Sequence, residues 1–520
     1  MKRILCILLS VLLLAGTLPF YALAQSQQKI PIIHLYGFMS CPIYAEDGTK
    51  LFPVQRDAIL DFVKKLLPSI SRLAVNKNWT TFGDRLIPAL NEILLPIAGD
   101  TQGVPKDGTG PQFVYPTADE IKRADSLRFI YDWRDDPFVS AAQLDDFIRY
   151  VTETCGCARV ALECHSYAGV VTLTYLATYG TDMVQSVCFN ATAVYGATFA
   201  GELMRGKMQL SSDALTAYLE GIFDQKEYEA LLRGVVSLFD DLGGIRFLVN
   251  FLNELFVNLN DRIWADSIIP IFANWPSVWA MVPDDKLDEA YAFARSMSPD
   301  EETEDDRIFL EKTQRFNREV RANRAAILRE VNDNCGLYVI ARYGYPGVPL
   351  GEIWQSNSDG VLDTESESFG ATCRPYAFSE PVTHPEKLIA PSGAIDASTC
   401  LFPTQTWFVR SYKHTQKDPA MEEFTAQLLL SPTQLTIDSI EEYPQFLYYD
   451  KVFHDLYIDI NQTENAAKWY QDLWRLIRQV FSRWWQKIVR FFTPRRQRSE
   501  IDLYPYPIPD DYPVNTILVQ

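Results

Sequence analysis

Ser166 stands where a strand-like run meets a helix-like run. Arg159 to Glu163 reads as a buried strand, His165-Ser166-Tyr167 follow at once, and a helix is expected from about Gly169 to Tyr179. A serine on such a corner can attack an acyl carbon. The tight turn presents its hydroxyl, and the start of the helix supplies N–H groups for the developing oxyanion. Crowding there calls for small residues two before and two after the serine. Cys164 and Ala168 fill those places, where glycine is usual. Gly169 follows and lets the helix pack close. An ordinary turn serine or helix cap would look the same in isolation, so the partners decide the matter.

The hydroxyl needs a base, and the base needs a carboxylate to fix its tautomer. In an acyl-transfer chain with this kind of turn, the acid follows a later strand and the histidine follows the last one. The histidines are His34, His165, His384, His414 and His454, and only His414 follows a late strand, Thr406 to Ser411. The acid is expected in the turn-rich segment Ser356-Asn357-Ser358-Asp359-Gly360-Val361, downstream of a strand over Leu337 to Arg342. Asp359 is the first choice and Asp363 the second. The oxyanion site should combine the backbone N–H of Tyr167 with one from the loop Tyr36-Gly37-Phe38-Met39 after the first strand. Phe38 is the first choice there and Met39 the next.

These groups need a scaffold of strands alternating with helices. Strands are expected at Lys29 to Tyr36, Leu127 to Tyr131 and Ser186 to Ala191, besides those above, and helices at Ala141 to Val151 and about Ala420 to Leu429. Such alternation implies an α/β fold: a mainly parallel sheet covered by helices on both faces. With the serine corner, this points to the α/β-hydrolase class with a helical cap or lid. The core divides into residues 25–200, interrupted by a lid-like insertion at 42–115, and residues 335–430. The mostly helical segment 201–334 would form the cap. Within it, Ser298-Pro299 suits a helix N-cap and first turn, with the acids that follow favouring the helix dipole.

The ends carry separate messages. Lys2 and Arg3, the apolar run Ile4 to Leu14 and Ala22-Leu23-Ala24 have the layout of a secretory signal peptide over residues 1–24, cleaved after Ala24. A secreted protein is therefore expected, in a compartment where disulfides form. Cys164 and Cys188 read as buried thiols, while Cys155 and Cys157 are candidates for a bridge or a metal. No cluster has zinc-ligand spacing, so neither metal nor cofactor is expected. Asn78, Asn190 and Asn461 lie in glycosylation sequons. The formal charge is −19, but residues 466–498 hold nine Lys and Arg against one Asp, a net +8. Setting these and the leader's Lys2 and Arg3 aside leaves −29 on the remainder. An acidic body argues against nucleic acid as a partner. Within the C-terminal extension 431–520, residues 466–492 alternate Trp, Leu, Ile and Phe with Arg and Lys at helical spacing. That pattern fits peripheral contact with an anionic membrane or cell surface, packing onto the acidic body, or pairing with another subunit. The Tyr- and Pro-rich end, 502–520, is expected to be extended or disordered.

Several segments resemble one family. Tyr131-Asp132-Trp133-Arg134, at a strand end, resembles the Tyr-Asp-Trp-Arg signature of the lecithin–cholesterol acyltransferase family. His165-Ser166-Tyr167-Ala168-Gly169 is similar to its His-Ser-x-Gly-Gly region, as are Asp359-Gly360-Val361 and the late His414. Trp275 to Pro283 resembles its cap segment. The likeness spans about residues 30–430 and departs from the family at Cys164, Ala168 and His34-Leu35-Tyr36-Gly37-Phe38, where a Pro-Gly loop is usual. It implies a lid, a helical cap and a lipid acyl ester as substrate, consumed through an acyl-enzyme intermediate by a lipase, phospholipase-like hydrolase or acyltransferase. Met39, Trp133 and Arg134 are then candidate substrate contacts, Arg134 toward a phosphate-bearing head group or a lid. For Arg134 a structural salt bridge is the competing reading. For the whole chain the competitors are a carboxylesterase acting on soluble esters and a catalytically silent binding protein of the same fold.

Overall fold

The computed structural model describes residues 30–207, 209–210, 215, 244–297, 303–350, 353–376, 388–451, 453–459 and 500–501. The expected signal peptide, part of the 201–334 segment, His384, Asn461, the basic segment 466–492 and the Tyr/Pro-rich end lie outside the described residues.

One central sheet organises the chain. Its strands are β1 (Ile32–Leu35), β2 (Ser126–Phe129), β3 (Val160–Ser166), β4 (Val184–Thr192), β5 (Gly336–Tyr343), β6 (Thr406–Arg410), β7 (Phe446–Asp450), β8 (Asp455–Ile458) and the two-residue β9 (Glu500–Ile501). They lie in the order β8-β7-β6-β5-β4-β3-β1-β2-β9. Every pairing is parallel except β7 with β8. Parallel neighbours need crossovers, and the sequence supplies helices between most of them. β4 is buried at all but one position, as a strand covered on both faces must be.

The crossovers form for local reasons. The helix α3 (Pro137–Cys155) starts on the Asp136 side chain, has Pro at its first position, and ends at Gly156 in the left-handed conformation. Ala141, Leu144, Phe147, Ile148 and Val151 form its buried stripe. The helix α4 (Ala168–Tyr179) is apolar nearly all round and almost wholly buried, so it can only be a core helix. Between β1 and β2 the chain makes a long excursion through the helices α1 (Arg56–Asn76) and α2 (Trp79–Leu94). These pack with α6 (Gly244–Ile263) around Leu66, Leu73, Phe82, Leu86, Leu255, Leu259 and Ile263. The short helices α5 (Thr198–Met204) and α7 (Pro276–Met281), with α8 (Leu287–Ser296), α9 (Glu304–Glu319) and α10 (Arg324–Asn334), complete the helical segment before β5. The helix α11 (Pro419–Leu429) follows β6.

Four details bear on the sequence reading. β7 and β8 belong to the central sheet, so the core runs to Ile458 rather than stopping at 430. Their short aromatic runs give little strand signal on their own. α9 begins at Glu304 with Thr303 as its cap, in a reciprocal capping box with Asp306, while Ser298-Pro299 lie outside the described residues. The acids do occupy the first turn, where the helix dipole favours them. Cys155 and Cys157 are joined to each other, which answers the bridge-or-metal alternative. Asn190 is buried and bonded to Glu163 and Arg342, so its sequon is structural.

Candidate active site

The centre of the site is the end of β3. Ser166 has φ of 60°, a left-handed conformation uncommon for a side-chain-bearing residue. The register between β3 and β4 shifts between His165 and Ser166, so the chain leaves the sheet at that point and enters α4. Gly169 allows the tight entry: a Cβ there would lie 2.5 Å from the Thr192 Cβ. The loop after β1 closes on the same corner. A Cβ on Gly37 would lie 2.3 Å from the Ser166 Cβ, 2.6 Å from its Oγ and 2.9 Å from the Tyr167 amide nitrogen. The backbone after β1 therefore rests against both the serine and the first N–H of the helix. Gly37→Ala is expected to lower turnover about 10²-fold while the circular dichroism spectrum stays native. A displacement of about 1 Å at a reacting group costs that much.

His414 and Asp359 meet beside this corner. His414 Nδ1 donates to Asp359 Oδ2 at 2.5 Å. Asp359 Oδ1 accepts the N–H groups of Val361 at 2.9 Å and Leu362 at 2.8 Å. The backbone ties the two loops together as well, His414 N–H to the Asp359 carbonyl at 3.0 Å. Burial alone would raise the Asp359 carboxyl. The charge and hydrogen bond of His414, a contact with Glu367 and the Arg342 charge outweigh it and hold the group well below the usual carboxylate range. The His414 ring lies 4.5 Å from the ring of His165, the residue before the serine. His165 is half-buried, with its Nε2 enclosed. Burial, then the charges of His414 and Arg342, push it well below the usual imidazole range, so a neutral ring faces His414.

Arg342, at the end of β5, organises what lies beneath. It is 2 % exposed. Its guanidinium donates to the carbonyls of Lys413 and His414, both at 2.7 Å, and to Asn190 Oδ1 at 2.9 Å. Asn190 passes the connection to Glu163 at 3.0 Å, and Glu163 pairs with His34 at 3.0 Å. The histidine loop is thus fastened to the sheet by a buried cation. No family model matches this chain, and no curated protein does. Among solved structures, a chain in the crystal structure of a Tle4–Tli4 complex is similar over 34% of this chain and 48% of its own length, at 14% identity and a TM-score of 0.18. The chain thus spans about half the length of that relative.

The anticipated residues fare differently. Asp359 pairs with His414, and His414 lies against His165, the residue before Ser166. Asp363 bonds elsewhere: it accepts a hydrogen bond from Thr198, and burial raises its carboxyl. Phe38 is half-buried, packed on Tyr167 and Trp275, in the loop that closes on the serine. Met39, next to it, is 38 % exposed.

Trp133 needs correction as a substrate contact, and Arg134 takes the structural salt bridge instead of the substrate role. Arg134 is wholly buried. Its Nε and Nη2 bond to Asp132 at 2.9 and 2.6 Å, and its other donors reach the Ile97 carbonyl and both oxygens of Thr109 at 3.1–3.2 Å. A guanidinium with its donors spent in this way pins the excursion to the sheet. Trp133 is also wholly buried. Its indole N–H bonds to the Cys41 carbonyl at 3.0 Å, and its ring packs on Phe38, Phe52 and Trp275. It supports Phe38 from behind. Arg342 and Glu367 were missed. An arginine ending the apolar run Leu337 to Ala341 was a readable signal, since a charge on a buried strand requires partners. Glu367, in a polar stretch, carried no such mark.

Proposed function

We propose that this chain is a secreted serine acyl hydrolase or acyltransferase of the α/β-hydrolase type, acting on lipid esters. The observation that carries the reading is the His414–Asp359 bond, set against His165 beside a serine held at φ 60°. Ser166 attacks the acyl carbon while His414 takes its proton. Asp359 holds the imidazole with its proton on Nδ1 and balances the imidazolium that forms. The Tyr167 N–H and an N–H from the Gly37–Met39 loop, Phe38 in the first instance, receive the oxyanion. His414 then protonates the leaving alcohol. Water or a second alcohol attacks the acyl-enzyme with His414 as base.

The lipid part of the reading draws on the surroundings. Trp275 to Pro283, the segment likened to a lipase-type cap, is almost wholly buried and brings Trp275 onto Phe38 and Trp133. An acyl chain needs such an apolar wall out of water. The same family likeness motivates the lid, and the basic segment 466–492 motivates contact with an anionic membrane.

A fluorophosphonate probe followed by a substrate panel tests the function. The mature protein should be labelled at Ser166, because only an activated serine reacts, and should turn over long-chain lipid esters faster once they form an interface. Absence of labelling would favour a silent binding protein. Labelling with preference for dissolved short esters would favour a carboxylesterase.

A further inference from the structure

Glu367 ends the short helix Thr364–Glu367 and is completely buried. Its Oε2 accepts the backbone N–H of Arg342 at 2.6 Å. Its Oε1 is enclosed and meets no donor among the described residues. The carboxyl of Glu367 nevertheless lies close to that of Asp359. Ligand-type atoms of Asp359, Glu367 and His414 all lie within 4.8 Å of one another. Ionised carboxylates only accept hydrogen bonds, so a bond between two of them requires a proton on one. The neighbours decide which. Asp359 receives His414 Nδ1 and two backbone N–H groups, all of which favour its anion. Glu367 receives a single N–H.

We propose that Glu367 is a positioning residue that stays protonated at neutral pH and donates its Oε1–H to Asp359, holding that carboxylate turned toward His414. The inference takes its functional meaning from the Ser166–His414–Asp359 reading, but the protonated acid stands on its own geometry. It gives the orphaned Oε1 a partner. It also limits charge: a neutral Glu367 leaves Asp359 as the anion that pairs with His414. The groups acting on Glu367 come from several elements: Asp359 from the loop after β5, Arg342 from β5, His414 from the loop after β6, and Cys373 from the strand Thr372–Cys373. Burial, then the charge and hydrogen bond of Asp359, push its carboxyl well above the usual range, and Arg342 offsets only part of this. A neutral donor steadies Asp359 without adding a second negative charge beside the base.

Infrared spectroscopy of the intact protein tests the protonation. With glutamate isotopically labelled at Cδ, a protonated glutamate carbonyl band is expected at pH 7 and should vanish in Glu367→Gln. Glu365 is also raised by burial, so the difference between the two proteins makes the assignment. Glu367→Met serves if the glutamine variant does not fold. Absence of the band, or a band undiminished in the variant, overturns the proposal. The second measurement is the acid limb of kcat/KM on a soluble ester. Glu367→Gln removes no charge if the acid is neutral, so the limb should stay in place. A downward shift would mean an anion had been lost and would overturn the idea. Glu367→Ala should lower kcat about tenfold at constant KM, the loss of one hydrogen bond to a charged group, and Gln should restore most of it. If the unaltered protein turns over no ester at all, the hydrolase reading fails while the infrared band still decides the state of Glu367.

Discussion

Ser166→Ala is expected to reduce ester turnover by at least about 10⁴-fold and to abolish fluorophosphonate labelling, with an unchanged far-ultraviolet spectrum. Nucleophile, base and acid act as one unit, so removal of the nucleophile alone forfeits nearly all they contribute together. Fold should survive because alanine removes one oxygen and keeps the Cβ already accommodated against Gly37. The same position tests the strain. Alanine remains in the left-handed region at φ 60°, whereas Ser166→Gly relieves it. The glycine variant is therefore expected to be about 1–2 kcal/mol more stable than the alanine variant by denaturant titration. Equal stability would mean the corner relaxes when the hydroxyl goes. Retained turnover in either variant would remove Ser166 from the chemistry.

The parts of this site that were legible in advance share a cause. The corner at Ser166 is local: a buried strand, a turn and an apolar helix follow one another within about twenty residues, and each has its own periodicity. His414 could be chosen because histidines are few and only one follows a late strand. Asp359 was harder, since a turn aspartate before glycine is common, and Asp363 four residues on looked similar. Only tertiary structure separates them, by giving one His414 and the other Thr198. Arg134 and Trp133 show the opposite failure. Their residue types suit substrate contact, but what they touch depends on where Ile97, Thr109 and Cys41 return from the excursion, and no local pattern encodes that. β7 was passed over for a related reason. Phe446-Leu447-Tyr448-Tyr449 is too short to announce itself, and its place beside β6 is set by pairing across the sheet.

Asp359→Asn is the sharper test of the three-residue unit, with an expected fall in kcat of about 10³–10⁴-fold. The amide can keep Oδ1 as acceptor for the Val361 and Leu362 N–H groups, so the loop should hold. Its NH₂ then faces His414 Nδ1 and donates to it. The imidazole must move its proton to the other nitrogen, the one that has to accept from Ser166, and a base already carrying a proton there cannot act. Asp363→Asn leaves this requirement untouched, because that side chain bonds to Thr198. Comparable losses in both variants would mean that the acid has been misassigned. Stability should respond as well. The folded Asp359 carboxyl is held below its unfolded value of about 3.9, so its contribution is present above that pH and is lost as pH falls through the folded value. The asparagine variant lacks this titration, and its denaturation midpoint should decline less steeply on acidification below about pH 4. An identical acid slope in the two proteins would show that Asp359 is not held ionised by His414, and the pairing that supports the proposed mechanism would fail with it.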